Sequence, residues 1–239
     1  MPARPMLWLL LMAGCVPEGA PTSSKPPPRA ASRERPSKES DALLGGPFRD
    51  DFNRAELGDG WRALSRAWKI AGGELCGDGA RNRGVWLRRR IPDNARIEFD
   101  ARAATDEGDI KVEVWGDGMS GASGPSYDDA TSYLFIYGGW RNSRHVLARL
   151  DEHAPQRLAL EVDPSSDDPR QRAVEQGQVY RFRIERRDKK TVSWWIDELL
   201  VHELDDPDPL VGQGHDHFAF NQWTARVCFD NLVITPLQP

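Results

Sequence analysis

The segment 137–153 holds the chain's densest set of side chains able to do chemistry. Tyr137-Gly138-Gly139-Trp140-Arg141-Asn142 reads as a glycine-bent hairpin tip, and the returning strand runs on to Arg149-Leu150-Asp151-Glu152-His153. Alternation puts Arg149, Asp151 and His153 on one face, preceded there by His145 and Leu147. An arginine grips a carboxylate or vicinal hydroxyls, a carboxylate takes a proton, and an imidazole shuttles one near neutral pH. This kit suits a ligand rich in hydroxyls. It also suits acid/base work by Asp151, Glu152 and His153. A salt-bridged outer strand face, closed by Asp-Glu-His, would use the same residues.

Flat rings are the second candidate chemistry. The chain has nine tryptophans. Trp115, Tyr137, Trp140, Trp195 and Trp223 fall on or beside strand positions opposite the main apolar set. Sugar rings present apolar C–H faces that stack on such side chains, while neighbouring polar groups fix the hydroxyls. Trp115, Tyr137, Trp140 and Trp223 are the expected stacking platform. Arg149, Asp151, Glu152, His153 and Asn221 are its expected polar partners. Trp61, Trp68, Trp86 and Trp194 are expected in the core.

Other chemistries fit less well. Glu98 and Asp100 share a strand face and Glu113 lies on a neighbouring strand, but Arg102 breaks a carboxylate-every-second-residue pattern. His215-Asp216-His217 lacks a third ligand at a spacing that suits zinc. The glycines near Gly116-Asp117-Gly118 are not followed by a helix, so they make no phosphate loop. No Gly-x-Ser-x-Gly occurs.

Strands must position these residues. Ile97, Phe99 and Ala101 alternate with polar neighbours, as do Ile110, Val112 and Val114, and Tyr180, Phe182 and Ile184. Turn residues such as Gly72-Gly73, Pro92-Asp93-Asn94 and Arg187-Asp188-Lys189-Lys190 separate the runs at short intervals. No helical pattern of ten residues is present. Longer loops are expected at 116–130 and 163–176. The pattern implies an all-β, two-sheet antiparallel sandwich.

The N-terminal residues speak to location. Arg4, the apolar run Leu7-Trp8-Leu9-Leu10-Leu11 and Met12-Ala13-Gly14 before Cys15 read as an export signal over 1–14. The cysteine at the cut looks like a bacterial lipobox, which implies acylation of Cys15 and a membrane partner through the lipid. Val16 carries no acidic retention cue, which favours the outer membrane. Residues 15–42, with Pro26-Pro27-Pro28 and many charges, read as an unstructured tether. Residues 43–239 form the folded domain. The net charge of −5, from 32 basic and 37 acidic residues, offers no single-signed field for nucleic acid. With Cys15 assigned to lipid, Cys76 and Cys228 remain, either as a disulfide in an oxidising compartment or as buried thiols.

Two segments carry a family resemblance. The first runs Asp50-Asp51-Phe52-Asn53-Arg54, then Gly60-Trp61, then Trp68-Lys69-Ile70-Ala71-Gly72-Gly73-Glu74-Leu75. The second is Phe218-Ala219-Phe220-Asn221 with Val227-Cys228-Phe229-Asp230-Asn231-Leu232-Val233-Ile234. Together they resemble the concanavalin A-like lectin/glucanase superfamily, close to its laminin-G-like and 3-keto-disaccharide-hydrolase-like domains. The resemblance covers about 48–236. It implies a jelly roll whose first and last strands are neighbours, which would bring Cys76 near Cys228. It also implies a structural calcium held by Asp51 and Asp230. One fold hosts many functions. The expected function is recognition of an oligosaccharide or polysaccharide without catalysis. The alternatives are a glycoside hydrolase or lyase acting on a modified disaccharide, and a structural or protein-binding envelope module.

Overall fold

The computed structural model describes residues 42–238. The export signal, Cys15 and all of the expected tether but its last residue lie outside the described residues. Among the described residues no helix is long and apolar enough to cross a membrane.

Two antiparallel sheets face each other. One has the order β13 (Leu199–Asp205), β12 (Thr191–Ile196), β11 (Tyr180–Arg186), β6 (Ala95–Ala103), β15 (Val227–Pro236), β4 (Glu74–Gly77) and β3 (Trp68–Ala71), and β1 (Phe48–Asp50) also pairs with β15. The other runs β10 (Leu158–Glu161), β9 (Arg144–Arg149), β8 (Tyr133–Gly138), β7 (Ile110–Gly116), β14 (His217–Asn221), β5 (Val85–Leu87) and β2 (Trp61–Ala63). This is the two-sheet sandwich that the alternation and turn spacing imply, and the jelly roll that the resemblance implies.

Alternation decides which side chains enter the core. In β6 the residues from Ala95 to Ala103 are buried at every second position, with Arg96, Glu98, Asp100 and Arg102 on the outer face. Phe99 stacks on Phe182 at 4.7 Å, and Phe220 of one sheet stacks on Phe229 of the other at 4.2 Å. Such offset aromatic pairs contribute about 1 kcal/mol each beyond area burial. Trp61, Trp68 and Trp194 join this core, and Phe52 packs on Trp61 at 5.7 Å. Trp86 is also fully buried, but on the outer side of its sheet, where its indole donates to the Ser120 carbonyl at 2.8 Å.

The first and last strands, β1 and β15, pair directly, as the resemblance implies. Cys76 of β4 lies directly opposite Cys228 of β15, and the two form a disulfide. Glu98 and Asp100 lie on the outer face of the eight-stranded sheet beside Arg181, while Glu113 belongs to the other sheet. They therefore do not assemble into one carboxylate set.

Candidate functional site

Strand β7 is buried along its whole length on both faces. Ile110, Val112 and Val114 face the core, while Lys111 and Glu113 point outward and are nevertheless covered. The cover is the β7–β8 loop. Its Ala122, Tyr127 and Ala130 pack on Leu134, Ile136, Val146 and Ala148, which form the outer faces of β8 and β9.

Beneath that loop sit two buried polar clusters. Glu113 accepts hydrogen bonds from Tyr127 Oη at 2.7 Å, Ser132 Oγ at 2.8 Å and Asn221 Nδ2 at 2.6 Å. Burial still pushes its carboxyl up to about 7, outweighing those three donors and the Lys111 charge. Beside it, Lys111 Nζ donates to Glu152 Oε2 and Asn82 Oδ1, both at 2.7 Å. Lys111 is 2% exposed and Glu152 6% exposed, so this is a buried ion pair. Desolvation offsets much of the attraction in such a pair, but removing one partner would leave the other charge buried and unpaired.

The Lys111–Glu152 pair forms part of a cavity of about 610 Å³. Trp140, Arg141, His153 and Trp223 stand around it, Pro125 and Ser126 wall the loop side, and Glu107 and Asp109 complete the polar lining. Both indoles are half-buried. Arg157 and Arg144 lie over the Trp140 ring at 5.4 and 5.7 Å, and His153 meets it edge-on at 5.7 Å. Arg81 lies over Trp223 at 5.8 Å. Asp109 accepts from the Trp223 amide at 2.5 Å, and desolvation raises its pKa.

Trp140 is presented by an unusual turn. Trp140, Arg141 and Asn142 have φ between 51° and 59°, three consecutive residues in the left-handed region, and Gly138 before them has φ 70°. L-residues adopt this at a cost of about 1–2 kcal/mol each, so surrounding bonds must hold it. Asn142 supplies three of them: Nδ2 donates to the Asp106 and Val174 carbonyls, and Oδ1 accepts from the Val174 amide. His145 supplies another, because its Nδ1 accepts from the Gly138 amide at 3.0 Å. That bond leaves Nε2 to donate to the Arg172 carbonyl at 3.0 Å. Burial lowers the imidazole pKa to about 4, against that bond.

The expected site residues divide. Trp140, Glu152, His153 and Trp223 come together around the cavity. Asn221 lies under the loop, bonded to Glu113 and with no exposed surface. Trp115 and Tyr137 cannot stack on a ligand, since both belong to the core. A bulge explains Trp115: the β7–β14 register slips between His217 and Phe218, Trp115 takes φ 57°, and its ring turns inward onto the Arg186 guanidinium at 3.8 Å. Tyr137 shares the inward face with Tyr133 and Phe135, and stacks on His145 at 4.2 Å. Arg149 leaves the set by pairing with Asp206 and Asp208. Asp151 accepts from the His153 amide at 2.7 Å, closing a turn. The residues missed were Lys111, Asp109, Asn82 and Tyr127. The outward alternation of Lys111 with Glu113 was the available signal.

Asp51 and Asp230 each accept a backbone amide, from Asn53 and Asn231 respectively. Among the described residues the one cluster of three metal-ligating side chains is Glu74, Cys76 and Cys228, and its two sulfurs are joined to each other. Burial raises the Asp230 pKa, and the nearby carboxylates of Glu74, Asp100 and Asp51 add to the rise. A wider depression of about 780 Å³ lies beside β1. Its Asp50 is already paired with Arg54 and bonded by the Trp61 indole.

No family model matches the chain, and no curated protein matches it. Solved structures resemble it. Crh5 transglycosylase in complex with NAG is 12% identical, with a TM-score of 0.56 over 84% of this chain and 87% of that one. The carbohydrate-binding module CBM66 from Bacillus subtilis is 14% identical, with a TM-score of 0.52 over 74% of this chain and 95% of its own. A sialidase is 12% identical at a TM-score of 0.54, over 80% of this chain but 18% of the sialidase. At these identities the likeness establishes the shared sandwich fold.

Proposed function

We propose that this protein binds a glycan, without chemical conversion, in the cavity between Trp140 and Trp223. The observation that carries the reading is two half-buried indoles flanking a cavity of about 610 Å³ with a buried Lys111–Glu152 pair in its lining. Indoles suit C–H faces of sugar rings, and fixed polar groups suit hydroxyls. The similar solved structures include a carbohydrate-binding module, a transglycosylase with a bound sugar and a sialidase, which agrees with this ligand class. The concanavalin A-like assignment belongs to the same reading.

Binding is favoured over catalysis by the state of Glu152. One oxygen is held by Lys111 Nζ at 2.7 Å and the other by the Tyr127 amide at 3.3 Å. With its oxygens engaged by Lys111 and by the loop backbone, Glu152 serves as a structural tie in the cavity lining. The proposal includes export and attachment through acylated Cys15, and Cys15→Ala should move the protein from the membrane to the soluble fraction.

Isothermal titration against a broad oligosaccharide panel tests the binding reading. Trp140→Ala or Trp223→Ala should each weaken binding about tenfold, the equivalent of one lost aromatic contact. Reducing-end assays on the same sugars should show no new ends. Silence across the panel from folded protein would overturn the proposal, and release of product would replace it with the hydrolase reading.

A further inference from the structure

We infer that the site reads the end of a glycan chain and not an internal stretch. This rests on the glycan reading above and adds what part of the chain is recognised. An outer sheet face can hold a polymer lengthwise only if it forms a trough open at both ends. Here the β7–β8 loop occupies that face. Tyr127 is fully buried, packed on Leu134 and Ile136 and bonded through its hydroxyl to Glu113. The loop is fastened along its length. Trp86 donates to the Ser120 carbonyl, the Ala122 amide donates to the Asn82 carbonyl at 3.0 Å, and the Tyr127 backbone exchanges two bonds with Glu152.

What remains is the cavity at one margin of the sheet, walled on the loop side by Pro125 and Ser126. A chain entering past Trp140 and Trp223 meets that wall. The Lys111 ammonium, bonded to Asn82 and Glu152, lies in the lining of that cavity. A terminal sugar fits a cavity walled on the loop side, with fixed polar groups in its lining. An internal unit has a glycosidic neighbour on both sides and would collide with the loop.

The test uses the unmodified protein and matched trimers and nonamers of cello-, laminari-, chito-, manno- and xylo-oligosaccharides. For whichever sugar binds, Kd per chain should agree between trimer and nonamer within about twofold. An internal reader would gain roughly sevenfold, one factor for each register of three units on the longer chain. That gain would overturn the inference while leaving the glycan reading intact; no binding by any member would overturn both. Replacing residues 120–129 with a short Gly-Ser link should make binding length-dependent. A folded variant that stays blind to length would show that the loop is not the wall. Should it fail to fold, the comparison on the unmodified protein still decides.

Discussion

Two buried titrating side chains pull stability in opposite directions across the same pH range. Glu113 is raised from 4.5 to about 7 by burial, so between these values the folded state holds a proton that the unfolded chain has lost. Its contribution is complete below about 4.5 and declines as pH rises through 7. His145 is lowered from 6.5 to about 4, again by burial, so the folded state refuses a proton that the unfolded chain accepts. Its contribution is complete above about 6.5 and declines as pH falls toward 4. Each has a limiting slope of about 1.4 kcal/mol per pH unit. Glu113→Gln should therefore give a stability difference from the unmodified protein that shrinks from pH 5 to pH 7.5. Urea unfolding at several pH values measures this, and a flat difference would contradict the buried, protonated state of Glu113.

At the scale of elements, the left-handed turn after β8 sets the geometry of Trp140. Asn142→Ala removes three hydrogen bonds from that turn and should cost about 2 kcal/mol, with weaker ligand binding because Trp140 loses its seat. Arg141→Gly should act oppositely on stability, a gain of about 1 kcal/mol, because glycine adopts φ near 58° without strain. Chemical denaturation reads both, and a stabilised Asn142→Ala protein would refute the account of the turn. The strands themselves were legible in the sequence, since alternation such as Ile97-Phe99-Ala101 leaves few other ways to bury one face. The outer face of β7 was less so. Period two says that Lys111 and Glu113 point away from the core, but not that a loop some ten residues later covers them. Likewise nothing in the residue types around Trp115 signals a bulge, so one inverted position turned an expected platform ring into core. Gly138-Gly139 announced a bend, yet its left-handed continuation through three non-glycine residues depends on Asn142 and His145 reaching distant carbonyls and amides.

At the scale of the whole molecule, the Cys76–Cys228 link joins residues 152 apart in sequence. In the chain-entropy model, closing so long a loop stabilises the fold by about 5 kcal/mol, reduced by any strain in the folded state. Reduction, or Cys76→Ala with Cys228→Ala, should lower the melting temperature by more than 10 °C at this domain size. An unchanged melting temperature would show that the register of β4 and β15 holds without the bridge. Strand β15 pairs with β1, β4 and β6, and so lies inside its sheet. Until residues 227–236 are in place, β4 and β6 each lack a neighbour and the core lacks Phe229. Assembly of this sandwich therefore waits on residues 227–236, the keystone between β4 and β6. Chains truncated before residue 227 should be open to proteases and inclined to associate through their unpaired edges.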